Sequence, residues 1–119
     1  MTKDIDKEIV EWSIQTFPDL TVDKQRQKLN EELKEFKECQ TEEEALKEGA
    51  DIYIVCRILA DRFDDEIGKY FTETILNEAT ETRGKEIKEA IEAKMEKNKA
   101  RNWQKTKDGV YHHTENTDE

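Results

Sequence analysis

Four acidic residues form two pairs whose spacing suits metal binding: Glu32 with Glu35, and Glu48 with Asp51. In each pair the residues are three apart, which places both carboxylates on one face of a helix. Glu32 falls within the apolar stripe of its helix, which consists of Leu29, Leu33 and Phe36. Glu48 and Asp51 enter the first turns of an apolar helix. The pattern therefore predicts four carboxylates that point into the protein.

Carboxylates in such an arrangement require compensation. Two like charges ~4 Å apart repel by about 4 kcal/mol at an effective dielectric of ~20, and an unpaired carboxylate taken out of water costs several kcal/mol more. The four groups must therefore hold protons, basic side chains or divalent cations. Because the candidate ligands are all carboxylate oxygens, the cluster favours Mg²⁺, with Mn²⁺ as a substitute, over zinc.

The elements that would position these acids are helices, since a single proline and four glycines interrupt the chain very little. Candidate N-cap residues are Asp4, Thr21 or Asp23, and Thr41. Gly49 lies within the third helix at a cost of roughly 0.8–1.0 kcal/mol relative to Ala, which predicts a close approach to the backbone by a ligand or by a neighbouring helix. Apolar periodicity predicts five helices, over about residues 4–16, 22–38, 42–63, 64–80 and 84–101.

The composition indicates one small domain with too few apolar residues for a large hydrophobic core. The chain has 119 residues, of which 34% are hydrophobic and 42% charged. We predict an all-α fold, a four- to five-helix bundle in a single domain over residues 1–113, with a disordered tail over residues 114–119. A chain of this size buries only a modest core, and the helix over residues 52–60 is apolar on nearly every side. We therefore expect oligomerisation to complete the core, in a homodimer or homotetramer.

Charge and targeting signals limit the possible partners and the location. Lys and Arg number 20 against 30 Asp and Glu, giving a net charge of −10, which argues against binding to polymeric nucleic acid or to an anionic membrane. No stretch reaches the ~18 apolar residues of a membrane span, and the first residues lack the apolar region of a signal peptide. A cytoplasmic location is expected, with Cys39 and Cys56 as reduced packing residues.

The two acidic motifs together resemble a known signature. Glu31-Glu32-x-x-Glu35, followed after twelve residues by Glu48-x-x-Asp51, resembles the EExxE…ExxD pattern of the MazG-like all-α nucleoside triphosphate pyrophosphohydrolases. The segments EWSIQTFPDLT, KLNEELKEF, KMEKNKARNWQ and DGVYHH are also similar to small, phage-type members of that family. The resemblance extends over roughly residues 9 to 113.

The resemblance implies an enzyme. It would hydrolyse a (deoxy)nucleoside triphosphate to the monophosphate and pyrophosphate with Mg²⁺, in nucleotide-pool control, and phage-type members suggest dATP or dGTP. The fold implied is a helical bundle that forms a dimer or a dimer of dimers. The residues that match the metal ligands of the family are Glu32, Glu35, Glu48 and Asp51. Glu31 matches the first acid of the motif, with a catalytic role in orienting water or contacting metal.

A basic face on the last helix is the candidate phosphate-binding surface. Lys94, Asn98 and Arg101 follow i, i+4, i+7 spacing and share one face, with Lys97 beside them. The resemblance implies that a basic residue and an asparagine on this helix contact the nucleotide, and these four positions match. The alternative is a solvated basic stripe that is favourable near a helix C-terminus.

Aromatic residues supply candidate contacts to a base. Trp12, Phe17 and Trp103 could stack on a base or could belong to the core, and Trp12 is the aromatic residue that we predict to contact the substrate. The segment Trp103–His113 could fold over the site as a lid.

Two other classes of helical bundle are alternatives to this enzyme. A non-catalytic interaction protein is the alternative function, and it predicts that the acids are solvated. A di-iron carboxylate bundle needs Glu-x-x-His on two helices. Because Gly109 and Val110 lie three residues before His112 and His113, the di-iron class is excluded.

Overall fold

Helices make up most of the chain. The computed structural model describes residues 4–78, 84–105 and 111–113. A π-helical turn (Ile58–Arg62) continues the third helix, and two short strands, β1 (Trp103–Lys105) and β2 (Tyr111–His113), pair antiparallel. The predicted all-α class is confirmed, whereas the strands and the π-helical turn were not predicted. The described α-helices are α1 (Ile5–Thr16), α2 (Val22–Lys37), α3 (Glu42–Arg57), α4 (Glu66–Glu78) and α5 (Gly84–Ala100).

The first three helices begin where their capping residues predict. The side-chain oxygens of Asp4, Thr21 and Thr41 each accept a hydrogen bond from the backbone N–H three residues later. Each bond satisfies an amide that the helix itself leaves unpaired, and such a cap typically contributes ~1 kcal/mol. Local chemistry thus determines the starts of α1, α2 and α3. The predicted tail over residues 114–119 lies outside the described residues.

Helix α3 lies at the centre of the fold and contacts α1, α2, α4 and α5. Every residue from Ile52 to Ala60 is buried except Arg57, which is partly buried. We predicted oligomerisation because we expected a second subunit to bury this apolar helix. That argument is wrong, since other helices of the same chain bury it. Oligomerisation itself stays a prediction.

The apolar stripe of α2 is buried at its start and exposed at its end. Leu29 is buried, Leu33 is half-buried, and Phe36 in the last turn is 42% exposed. Phe36 has the spacing of a core residue, but the neighbouring elements do not cover the last turn of α2. The prediction that Phe36 is buried together with Leu29 and Leu33 is therefore wrong.

Two glycines differ in how closely other elements approach them. A Cβ at Gly49 would lie 3.7 Å from Cδ1 of Ile87, an ordinary contact between α3 and α5. A Cβ at Gly68 would lie 2.6 Å from Cβ of Leu59 and 2.7 Å from the backbone nitrogen of Ala60. The close approach predicted at Gly49 is thus ordinary helix packing. Gly68 is the position where α4 can pack on the π-helical turn only without a side chain.

Candidate functional site

Helices α2 and α3 bring three of the predicted acids together. Glu32 comes from α2, and Glu48 and Asp51 come from successive turns of α3. One carboxylate oxygen from each of the three residues lies within 4.8 Å of the other two. The i, i+3 spacing places Glu48 and Asp51 on one face, and the packing of α2 on α3 brings Glu32 to that face. We call these three residues the acidic cluster.

The acidic cluster contains buried oxygen atoms that lack partners. Glu32 is 9% exposed, and Oε1 of Glu32 and Oε1 of Glu48 are both buried with no hydrogen-bond donor outside the acidic cluster. A buried charged acceptor without a partner costs more than an unpaired neutral group. The cluster therefore needs a proton or a cation among its oxygens.

Burial changes the proton affinity of all three acids. Burial raises the pKa of Glu32 to about 9, and repulsion from Asp51 adds to the rise. Burial likewise raises the pKa of Glu48, with a further contribution from Asp51. The pKa of Asp51 is also raised by burial, against the opposing effect of Lys94. Without a cation, Glu32 therefore keeps its proton at neutral pH.

Two lysines place positive charge against the acids. Nζ of Lys28 lies 3.6 Å from Oε1 of Glu31 and 3.9 Å from Oε2 of Glu32, on the same helix. Nζ of Lys94, from α5, lies 3.2 Å from Oδ1 of Asp51. Lys28 precedes Glu31 by three residues and Glu32 by four, so its ion pairs with them could have been predicted from the sequence.

The acids line a cavity of about 410 Å³, which is within the usual range for small-molecule sites. All five predicted acidic residues border it, and Glu35, though exposed, is among them. Glu35 is close enough to raise the pKa of Glu32 and of Glu48 slightly, but it is not one of the three convergent acids. Basic side chains border the same cavity, namely Lys24, Lys28, Lys94 and Arg101.

Helix α5 and the residue that follows it contribute three of the four predicted basic and amide residues to the cavity. Lys94, Asn98 and Arg101 line it. Asn98 is buried, and its Oδ1 accepts a hydrogen bond of 3.4 Å from Nη1 of Arg101. Lys97 is exposed and lies outside the lining. Lys94 and Asn98 therefore share one face of α5, Arg101 follows the end of the helix, and Lys97 is exposed to solvent. Contact of these residues with a nucleotide stays a prediction.

Three aromatic side chains form another part of the cavity wall. The ring centroids of Trp12 and Trp103 each lie 5.2 Å from that of Phe17, and those of the two tryptophans are 5.9 Å apart, all edge to face. Nε1 of Trp103 donates a hydrogen bond of 3.0 Å to the backbone oxygen of Asn98. We call these three rings the aromatic cluster. These rings border the cavity and pack against one another, whereas stacking on a base stays a prediction.

Arg62, at the end of the π-helical turn, holds the end of α1 in place. Its Nη1 donates to the backbone oxygen of Ser13 at 3.0 Å, and its Nη2 donates to the oxygens of Phe17 at 2.9 Å and Pro18 at 3.3 Å. One guanidinium therefore binds three carbonyls at the end of α1 and in the loop that follows it, in addition to the backbone bonds that the oxygens of Ser13 and Phe17 accept. Sequence analysis missed Arg62, because its partners lie more than forty residues away.

Comparisons with known proteins add no family assignment: no family model, no curated protein and no solved structure matches the chain significantly. The likeness to the MazG-like family therefore rests on the motifs and their spacing. None of the described helices is long and apolar enough to cross a membrane.

Proposed function

We propose that the protein hydrolyses a (deoxy)nucleoside triphosphate to the monophosphate and pyrophosphate, with Mg²⁺ as cofactor and Mn²⁺ as a substitute. The observation that carries this proposal is the convergence of Glu32, Glu48 and Asp51 around buried oxygens that have no donor. Such a set suits a hard cation, which prefers carboxylate oxygens. An interaction protein with solvated acids does not account for a buried Glu32.

The acidic cluster would hold the cation, with Glu35 at the exposed edge of the cavity. When bound, Mg²⁺ would neutralise charge on the phosphates and lower the pKa of an attacking water. Phosphoryl hydrolysis is mainly a matter of positioning and charge stabilisation. Glu31 borders the same cavity and is the candidate for orienting that water, as the family resemblance implies.

The cavity has two chemically different parts, as a nucleotide requires. Helix α5 connects them: Lys94 contacts Asp51 in the acidic cluster, and Asn98, one turn later, contacts Trp103 in the aromatic cluster. Basic groups suit phosphates, whereas aromatic faces suit a base. A nucleoside triphosphate could therefore place its phosphates at the acidic cluster and its base near the rings.

The position of bond cleavage follows from the family resemblance, as does the preference for dATP or dGTP. Both are tested by incubating the protein with each of the eight common NTPs and dNTPs plus Mg²⁺, and separating the products by chromatography. Monophosphate and pyrophosphate are expected in equal amounts. Release of orthophosphate would instead show cleavage at the terminal phosphate.

A matched pair of variants ties any activity to the site. Glu32→Gln removes a candidate metal-binding carboxyl group from the acidic cluster, whereas Glu43→Gln removes a carboxyl group from the exposed first turn of α3. We expect hydrolysis to be lost in Glu32→Gln and retained in Glu43→Gln. Equal activity in both variants would exclude the acidic cluster as the catalytic centre.

A further inference from the structure

We propose that Lys94 acts as a built-in counter-cation, which occupies Asp51 in the nucleotide-free protein and leaves it for the substrate phosphates, so that nucleotide and metal bind cooperatively. This inference rests on the proposed function. It concerns what Lys94 does before substrate arrives, beyond any contact that it makes with the nucleotide afterwards.

The first observation is the position of the ammonium group. Nζ of Lys94 lies 3.2 Å from Oδ1 of Asp51, and both side chains are mostly buried, at 17% and 19% exposure. The positive charge of Lys94 also opposes the rise in the pKa of Glu48. Lys94 therefore supplies positive charge to two of the three acids that would hold the metal.

The second observation is that the acids are not fully compensated by this lysine. Oε1 of Glu32 and Oε1 of Glu48 remain buried without a donor from Lys94 or any other residue outside the acidic cluster while Lys94 is on Asp51. A single ammonium is thus a partial substitute for a divalent cation in the cluster. A divalent cation could contact all three acids, because their oxygens lie within 4.8 Å of one another.

Lys28 differs from Lys94 in a way that distinguishes their roles. Lys28 lies on the same helix as its partners Glu31 and Glu32, at the longer distances of 3.6 and 3.9 Å, as is common along a helix surface. Both lysines border the cavity, but Lys94 comes from a different helix than its partner Asp51 and lies closer to it, at 3.2 Å. Its long stem allows the ammonium to change partner without movement of α5.

Competition for Asp51 follows from these positions. A divalent cation and the Lys94 ammonium repel each other and share one carboxylate, so a cation that binds alone must displace the lysine. A bound triphosphate offers the ammonium another anionic partner. Each ligand should then tighten the binding of the other, and this effect is reciprocal by linkage.

The test measures Mg²⁺ binding to the full chain by calorimetry, without nucleotide and at constant pH and ionic strength. Lys94→Gln should bind Mg²⁺ more tightly than wild type, by about fivefold or more if the coupling has the usual size. Lys94→Arg keeps the charge and should resemble wild type. Lys88→Gln, which removes an exposed charge from the same helix, is the control for a general electrostatic effect.

A second arm measures the coupling. The affinity for a nucleotide analogue that cannot be cleaved between its α and β phosphates is determined with and without Mg²⁺. Mg²⁺ should tighten the binding of the analogue to wild type. The measured affinities are corrected for the Mg²⁺ that the analogue binds in solution. In Lys94→Gln both the analogue affinity and the tightening should fall.

The outcomes separate this inference from the function on which it rests. If wild type binds Mg²⁺ and cleaves nucleotide, but Lys94→Gln binds Mg²⁺ no more tightly than Lys88→Gln does, the counter-cation role is overturned and the proposed function remains. If neither wild type nor Lys94→Gln binds Mg²⁺ and no nucleotide is cleaved, the proposed function fails and this inference fails with it.

Discussion

Glu32 on α2 and Asp51 on α3 lie across the interface between the two helices, with carboxylate oxygens within 4.8 Å of each other. Repulsion from Asp51 is the largest charge effect on the pKa of Glu32, second only to burial. Helix packing normally brings apolar side chains to such a position. The fold therefore holds two carboxyl groups close together at its centre, and either a proton on Glu32 or a bound cation would relieve the repulsion between them.

The stability of the metal-free protein should fall as the pH rises. Glu32 has a pKa of about 9 in the folded chain against an ordinary value of 4.5, so the folded state binds more protons in that interval. Its stabilising effect is complete below the lower value and is lost as the pH rises through the upper one. Urea unfolding across this interval should show the decline.

Two comparisons make the pH test specific. Glu32→Gln cannot titrate and should flatten the decline, whereas Glu43→Gln, exposed on α3, should leave it unchanged. Mg²⁺ should also flatten it, because the cation takes the place of the proton. A decline of equal slope in all three proteins would assign the pH dependence to other groups.

Alanine at the two contrasting glycines should have opposite effects. At Gly68 a Cβ would lie 2.7 Å from a backbone nitrogen and 2.6 Å from Cβ of Leu59, so Gly68→Ala must separate α4 from the π-helical turn. Overpacking of this kind costs ~1–3 kcal/mol. At Gly49 the added methyl makes only an ordinary contact, and Gly49→Ala should stabilise the protein by up to about 1 kcal/mol. Thermal unfolding measures both, and destabilisation by Gly49→Ala would contradict the packing between α3 and α5.

Loss of the Arg62 hydrogen bonds should loosen the aromatic cluster. Arg62 donates to the backbone oxygens of Ser13 and Phe17, and hydrogen bonds to charged groups contribute about 1.5–3 kcal/mol. Arg62→Gln should therefore destabilise the fold by about that amount. Because Phe17 packs against Trp12 and Trp103, tryptophan fluorescence of the folded variant should change as well.

The conservative change Arg62→Lys refines this experiment. Lysine keeps the charge but lacks the planar fork that reaches several carbonyls at once, so it should restore stability only in part. Destabilisation without any change in fluorescence would confine the role of Arg62 to α1. The aromatic wall would then have to be positioned by other contacts.

Local patterns in the sequence predicted the helices and the burial of Glu32. The caps at Asp4, Thr21 and Thr41 depend on hydrogen bonds from backbone amides three residues away. Such local bonds can be predicted from the sequence. Glu32 was placed inward because it interrupts an apolar stripe. Both features depend on spacing within one helix, which the sequence specifies directly.

Features that depend on distant parts of the chain were not predictable. Phe36 has core spacing, yet its exposure depends on how far other elements extend over the end of α2. The partners of Arg62 lie in α1 and the loop that follows it. The convergence of Glu32 with Asp51 also depends on tertiary packing: the spacing predicted that both carboxylates point inward, and the family resemblance matched both to one metal site.

Oligomerisation now requires a test that does not damage the core. Ile54 and Ile58 are each 3% exposed within one chain, so a charge at either position would unfold the protein whether or not it associates. Sedimentation of the wild-type protein is the direct measurement. We expect a species of at least twice the 14.1 kDa chain mass, and a stable monomer at micromolar concentration would contradict the prediction.

Glu48→Gln should separate stability from activity. Oε1 of Glu48 is buried without a donor, and Asp51 adds to the repulsion that it experiences. Removal of its charge should leave the metal-free protein equally stable or stabilise it by ~1 kcal/mol, given the scale of such repulsion. Asp51→Asn should not show the same gain, because it breaks the ion pair with Lys94.

Catalysis should respond in the opposite direction to stability. Glu48→Gln removes a ligand from the acidic cluster, so the rise in melting temperature produced by Mg²⁺ should shrink, and hydrolysis should fall by orders of magnitude. Glu43→Gln, at an exposed position on the same helix, should change neither quantity. If Glu48→Gln kept near-native hydrolysis and an undiminished Mg²⁺ effect, Glu48 would not be a ligand. The unpartnered oxygens of the cluster would then need another explanation.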